Sequence, residues 1–120
     1  MPQQYIEYAQ EQGANVNLID KIEEAVEGAD VLYVTRLQKE RGAGQDKIER
    51  VSEGSGYGVT AKLMETFNPE GILMHPLPRV DELDKACDSD SRAWYFKQAE
   101  NGIYTRMALI AKLLDKPFNI

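Results

Sequence analysis

The sequence has little of several residue types and patterns that define protein classes. Its 120 residues contain one cysteine, Cys87, so neither an intrachain disulfide nor a cysteine-based zinc site is expected. There is no run of about 18 apolar residues, so no membrane-spanning helix is predicted. Residues 1–12 are polar and lack the pattern of a signal peptide. Neither G-x-G-x-x-G nor G-x-x-x-x-G-K-[ST], the common phosphate-binding motifs, occurs in the chain.

The charge balance is acidic, with 14 Lys and Arg against 20 Asp and Glu and a net charge of −6. This balance argues against general nucleic-acid binding. Hydrophobic residues make up 42% of the chain and charged residues 28%, which is ordinary for a globular protein. The length suits one domain with a modest core. We therefore expect one soluble, cytoplasmic domain with no nucleic-acid or membrane partner.

Segments with helical and strand-like periodicity alternate along the chain, which predicts an α/β fold with a parallel sheet. Helices are expected where apolar residues recur every three or four positions: 2–12, 20–28, 59–67 and 94–114. Strands are expected where apolar residues alternate or run unbroken: 15–19, 31–34 and 71–74. VLYV (31–34) is an unbroken apolar run typical of a strand buried on both faces.

Several side chains have predicted structural roles. Asp20 and Thr60 are the expected N-caps of the second and third helices, and Asp88 or Ser89 is expected to cap a later one. Cys87 is expected to be a small, partly buried side chain. The aromatic start of the last helix is expected to pack that helix into the core. These aromatic residues are Trp94, Tyr95 and Phe96.

Polar residues follow two of the predicted strands, and in parallel sheets ligands bind beyond the carboxyl ends of the strands. The first such segment, TRLQKER (35–41), places three cations within six residues. An arginine there is suited to grip a carboxylate or phosphate through two hydrogen bonds. The same segment also fits the solvated start of a helix, and its spacing alone favours neither interpretation.

The second segment is HPLPR (75–79), which follows GILM. Its two prolines remove backbone donors and leave carbonyls free to face a ligand, and the Leu77–Pro78 bond is a candidate for the cis form. A stiff connection with a surface histidine fits these residues as well. Residues 42–58 hold five of the nine glycines and are predicted to form a mobile loop, with a short helix around DKIERV.

Three segments taken in order carry a specific resemblance. VLYVTRLQKER, ILMHPLPRVDEL and AWYFKQAENGIYTRMALIAKLL resemble the C-terminal part of the aspartate carbamoyltransferases. The related ornithine enzymes have His-Cys-Leu-Pro where this chain has HPLP, so the aspartate branch is favoured. The resemblance covers nearly the whole chain and weakens over 42–58, where Gly42 stands in place of a large apolar residue. It implies a partial, doubly wound, Rossmann-like parallel sheet, truncated at its N-terminus, with a long C-terminal helix.

The resemblance also implies an activity and the residues that serve it. The family transfers the carbamoyl group of carbamoyl phosphate to L-aspartate in pyrimidine biosynthesis, giving N-carbamoyl-L-aspartate and phosphate without a metal or cofactor. By resemblance, Arg36 and Gln38 bind aspartate, and Arg41 pairs with the other domain on closure. The backbone carbonyls of Leu77 and Pro78 bind the carbamoyl amide. None of the family's catalytic side chains falls within this chain.

On this interpretation residues 1–120 are the C-terminal portion of the aspartate-binding domain. The carbamoyl-phosphate domain, with its Ser-Thr-Arg segment and catalytic histidine, is expected to be absent from the chain. Unpaired sheet edges and exposed apolar surface are then expected. The expected partners are the N-terminal portion of the enzyme and further copies of the chain, which form a trimer in the family. The alternatives are an ornithine-type fragment and a non-catalytic amino-acid-binding or assembly domain derived from a carbamoyltransferase.

Overall fold

The computed structural model describes residues 1–36 and 58–117. Between residues 22 and 74 the described helices and strands alternate, as the sequence predicted. In chain order the elements are α1 (Gln3–Glu11), α2 (Ile22–Val26), β1 (Val31–Tyr33), α3 (Ala61–Met64), β2 (Ile72–Met74), a 3₁₀ helix (Lys85–Ser89) and α4 (Tyr95–Leu113). The predicted loop over 42–58 and its short helix lie outside the described residues, except for residue 58.

Most of the predicted helix boundaries agree with the structure. Gly13 and Gly28 follow α1 and α2 with φ of 85° and 75°, a backbone conformation that glycine adopts without steric cost. Thr60 is the N-cap of α3, and its hydroxyl accepts the Leu63 N–H at 3.2 Å, as predicted. The N-cap of α2 is Lys21 and not Asp20, so that prediction is wrong by one residue.

Helix α3 ends at Met64, three residues before the predicted end. The Arg92 guanidinium lies across this terminus and donates to the Met64 and Phe67 carbonyls, each at 2.7 Å. Asp90 holds the same guanidinium at 2.7 Å. The carbonyls at the end of α3 are therefore satisfied by a side chain from a distant part of the sequence, which the local pattern does not reveal.

Strands β1 and β2 are parallel, as predicted. The opposed pairs are Val31 and Ile72, Leu32 and Leu73, and Tyr33 and Met74. On the other side of β2, Leu73 donates to the Arg92 carbonyl at 2.7 Å and accepts the Trp94 N–H at 2.9 Å. Since β2 is bonded along both edges, it is the central strand of the described sheet, and Leu73 is fully buried.

Two strand predictions are wrong. In β1 the side chains of Val31 and Tyr33 are half exposed, and only Leu32 packs against the core. The described residues cover that face of β1 only in part. Residues 15–19 form no strand, and Leu18 is 72% exposed. They pair with no strand in the part of the chain described, and an unpaired strand leaves its backbone groups without hydrogen bonds.

The core lies between β2, α3 and the segment that leads into α4. Its buried members are Val26, Val59, Leu63, Met64, Phe67, Leu73, Leu83, Cys87 and Tyr95. Cys87 is buried as a small side chain, in agreement with the prediction. Val59 forms a parallel bridge with Leu83, so the segment after HPLPR is joined to the residues just before α3.

Helix α4 is packed mainly at its beginning. Tyr95 is its buried residue, whereas Trp94, Phe96, Ile103, Met107 and Ile110 are exposed. A helix of 19 residues is about 28 Å long, and a strand of three residues spans about 10 Å. Most of α4 therefore extends past the sheet. The prediction that the three aromatic residues enter the core holds for Tyr95 alone, and the predicted exposed apolar surface is confirmed. None of the described helices has the length and apolar character needed to cross a membrane.

Candidate functional site at the carboxyl edge of the sheet

The two segments singled out in the sequence leave the sheet side by side. The Val34 N–H donates to the Met74 carbonyl at 2.9 Å, just beyond the paired strands. Arg36 follows two residues after Val34, and HPLPR begins one residue after Met74. Because parallel strands end at the same edge, the fold brings the two segments to one edge, where ligands bind in sheets of this type. Gln38 and Arg41 lie outside the described residues.

The Leu77–Pro78 peptide bond is cis, which confirms the sequence prediction. Leu77 itself has φ of 49°, the left-handed region that residues with a side chain seldom adopt. Its N–H donates to Nδ1 of His75 at 2.9 Å. Pro76 and Pro78 have no N–H, so this is the one backbone donor across residues 76–78.

His75 is buried, so the alternative interpretation of a surface histidine is wrong. Its Nε2 lies 2.8 Å from Oε1 of Glu82, which is also buried. The same carboxylate oxygen accepts the Val80 N–H at 3.1 Å. Since Nδ1 already accepts the Leu77 N–H, the hydrogen-bond geometry assigns the ring proton to Nε2, which donates to Glu82.

Gln98 on α4 connects the ends of the two strands. Its side-chain oxygen accepts the His75 N–H at 3.0 Å, and its side-chain nitrogen donates to the Tyr33 hydroxyl at 3.3 Å. Sequence reasoning missed both Gln98 and Glu82 because each contacts HPLPR across a separation that no local periodicity encodes. The available signal was the single histidine of the chain directly after a buried strand, followed by acidic residues.

A second polar cluster supports the far side of the same loop. The Arg79 guanidinium donates to both carboxylate oxygens of Asp88, with Nη2 to Oδ2 at 2.6 Å, and to the Tyr95 hydroxyl at 3.3 Å. The Tyr95 hydroxyl also donates to Asp88. The prediction that Asp88 or Ser89 caps a helix is therefore wrong. Both residues lie within the 3₁₀ helix, whose N-cap is Asp84, and the Asp84 side chain accepts the Ala86 N–H at 2.9 Å. Helix α4 begins after Trp94 without a side-chain cap.

The cluster shifts the acidity of its members. Hydrogen bonds from Arg79 and then Tyr95 lower the pKa of Asp88 to about 2. Burial, and then the bond to Asp88, raises the pKa of Tyr95. The charged carboxylate is thus the form that the folded loop binds.

This shift predicts how stability depends on pH. The pKa of Asp88 in the folded chain, about 2, lies below the ordinary value of about 3.9. Its ionised form therefore stabilises the fold above the ordinary value, and this contribution is lost as the pH falls through the folded value. We expect the free energy of unfolding of the wild type to fall more steeply from about pH 4 to 2 than that of Asp88→Asn.

Denaturant unfolding of both proteins at each pH measures this difference. Asp90 serves as an internal reference, because the Arg92 hydrogen bonds also lower its pKa and it is unchanged in the variant. Two parallel curves over this range would contradict a stabilising role for the Asp88 carboxylate.

Comparison with known proteins shows which family the chain belongs to. The family model for the Asp/Orn binding domain of aspartate/ornithine carbamoyltransferases matches residues 2–113. The chain belongs to this family. Within the family, it is 46% identical over 94 residues to the aspartate carbamoyltransferase catalytic subunit of Clostridium acetobutylicum, covering 78% of this chain and 30% of that subunit.

Solved structures of the carbamoyltransferase family agree with the fold. The catalytic subunit of M. jannaschii aspartate transcarbamoylase superposes with a TM-score of 0.83 at 36% identity, over 96% of this chain and 37% of that one. The Trypanosoma cruzi enzyme in complex with carbamoyl phosphate and aspartate gives 0.79 at 35% identity, over 92% and 36%. The chain thus spans about a third of the length of these relatives. The α/β fold with a parallel sheet and a long C-terminal helix is that of the family.

Proposed function

We propose that residues 1–120 are the C-terminal portion of the aspartate-binding domain of an aspartate carbamoyltransferase. The observation that carries this proposal is the edge where the Arg36 segment and the Leu77–Pro78 turn leave neighbouring parallel strands. Two kinds of ligand group are accommodated there, a carboxylate by the arginine and an amide by the backbone carbonyls. The T. cruzi relative, solved with carbamoyl phosphate and aspartate, supports the assignment of these two substrates.

In the proposed reaction the amine of L-aspartate attacks the carbonyl carbon of carbamoyl phosphate. A C–N bond forms, the bond between the carbonyl carbon and the phosphate oxygen breaks, and the proton lost by the amine is taken up by the released phosphate. Arg36 and Gln38 bind the aspartate, with Arg36 paired to a carboxylate. The carbonyls of Leu77 and Pro78 accept hydrogen bonds from the carbamoyl NH₂. The contribution of this chain is therefore orientation of both reactants, which accelerates a two-substrate reaction strongly.

The remaining partners follow from the same proposal. The carbamoyl-phosphate domain binds the phosphate and supplies the catalytic side chains, and Arg41 pairs with it when the domains close. The exposed apolar residues of α4 and of β1 support contact with further protein, since large apolar patches are usually covered. We assign the enzyme to the cytoplasm and to pyrimidine biosynthesis. We expect it to form a homo-oligomer, a trimer as in the family.

A joined enzyme tests the proposal. In it, this chain follows the remainder of the M. jannaschii catalytic subunit in one polypeptide. With carbamoyl phosphate present, we expect N-carbamoyl-L-aspartate as the product, detected by mass spectrometry. The rate with L-ornithine should be lower by a factor on the order of one hundred or more, because a site built around a substrate's polar groups rejects an analogue lacking them.

The alternatives give different results in the same assay. Preferential reaction of ornithine would identify an ornithine-type enzyme. Calorimetric binding of aspartate with no product of either kind would identify a non-catalytic amino-acid-binding domain. Either result would overturn the proposed activity.

A further inference from the structure

We propose that His75 and Glu82 are positioning residues, which hold the Leu77 and Pro78 carbonyls in place for the carbamoyl group. This inference rests on the proposed function, in which those carbonyls bind the substrate amide. Neither side chain contacts substrate in this proposal, because His75 is fully buried and Glu82 is 2% exposed. Both act through the backbone of the turn between them.

Two hydrogen bonds fix the turn on either side of Pro78. The Leu77 N–H donates to Nδ1 of His75 at 2.9 Å, and the Val80 N–H donates to Oε1 of Glu82 at 3.1 Å. The two side chains are joined by the bond from His75 Nε2 to the same Glu82 oxygen at 2.8 Å. The loop is therefore closed by one continuous path of hydrogen bonds from Leu77 to Val80.

The backbone of Leu77 shows why this support is needed. A residue with a side chain is disfavoured at φ of 49°, and such conformations persist only where surrounding contacts hold them. Since both neighbours of Leu77 are prolines, its N–H is the only backbone donor available over three residues. His75 binds that donor and leaves the two carbonyls without a competing N–H from within the turn.

The path is also anchored to the rest of the fold. The His75 N–H donates to Gln98 on α4 at 3.0 Å, and Gln98 reaches Tyr33 at the end of β1. The second oxygen of Glu82 is buried and has no hydrogen-bond partner within the described residues. Burying a carboxylate in this way is costly. The two hydrogen bonds that the other oxygen of Glu82 accepts, from His75 and from the Val80 N–H, compensate for this cost.

Two substitutions at His75 separate the halves of this path. His75→Asn places an amide oxygen where Nδ1 lies, so it still accepts the Leu77 N–H but does not reach Glu82. His75→Gln places an amide nitrogen where Nε2 lies, so it still donates to Glu82 but leaves the Leu77 N–H unbound. In the joined enzyme we expect His75→Gln to raise the KM for carbamoyl phosphate about tenfold, the effect of one lost hydrogen bond. His75→Asn should raise this KM by a smaller factor, about threefold, because it keeps the bond to the Leu77 N–H and loses only the bond to Glu82.

Inorganic phosphate provides the readout that distinguishes positioning from general loosening. It lacks a carbamoyl group, so its inhibition constant should be unchanged in both variants. Equal effects of the two variants on carbamoyl phosphate would overturn the proposal. A matching rise in the phosphate inhibition constant would also overturn it, since the whole site would then be disturbed. If the unaltered joined enzyme forms no product, the proposed function fails, and the positioning role fails with it.

A second measurement needs no substitution. His75 is the only histidine of the 120-residue chain, so ¹⁵N NMR of histidine-labelled chain reports this ring alone. From the hydrogen bonds of the ring we expect the proton on Nε2 and an unprotonated Nδ1. A ring protonated on Nδ1, either alone or on both nitrogens, would overturn the proposal whatever the variants do.

Discussion

On its own, the 120-residue chain is expected to form N-carbamoyl-L-aspartate at a rate at least on the order of a thousandfold below that of the joined enzyme. The chain matches only the Asp/Orn binding domain, and its sequence contains no Ser-Thr-Arg segment of the kind that binds phosphate in the family. Alignment of two reactants and stabilisation of the departing phosphate are large contributions to the rate. Neither is available when one substrate is unbound.

The measurement is product formation at equal molar concentrations of the chain and the joined enzyme, with both substrates saturating for the latter. Mixing the chain with the separately produced remainder is an informative control, because recovery of activity would show that the two parts associate without a peptide link. Turnover by the pure chain near that of the joined enzyme would refute the assignment of phosphate binding to another domain.

The second large effect is expected for Arg36→Lys in the joined enzyme. An arginine holds a carboxylate by two parallel hydrogen bonds, a geometry that lysine does not reproduce. We expect a loss of about 2–3 kcal/mol in aspartate binding or in transition-state stabilisation. This corresponds to a kcat/KM for aspartate reduced by about 30- to 150-fold. The KM for carbamoyl phosphate should change little, because in the proposed function its phosphate is held by the other domain.

A matched control is Lys112→Arg, a charge-preserving exchange on the exposed last turn of α4. It lies about 21 Å along the helix from Gln98, and both kinetic constants should be unchanged. If Arg36→Lys behaved like this control, the segment after β1 would not be the aspartate site. An equal loss of kcat/KM for both substrates would instead indicate a folding defect.

Local sequence was sufficient for one helix cap of the fold and for one feature of the site. The Thr60 cap and the cis Leu77–Pro78 bond each depend on the chemistry of one or two adjacent residues. The parallel direction of the strands over 31–34 and 71–74 was also predicted, because an unbroken apolar run with a helix before the next strand favours a crossover connection; that the two strands pair directly is known from the structure. That pairing in turn placed the Arg36 and HPLPR segments at one edge.

Only the tertiary structure decided which contacts hold that edge in place. The bonds of Glu82 to His75, of Gln98 to the two strands and of Asp88 to Arg79 span 7 to 65 residues of sequence, and periodicity carries no information about them. The same limit explains the errors. Whether Val31, Leu18 or the apolar residues of α4 are covered depends on what lies against them in space, and a hydrophobic pattern records only that the residue is apolar.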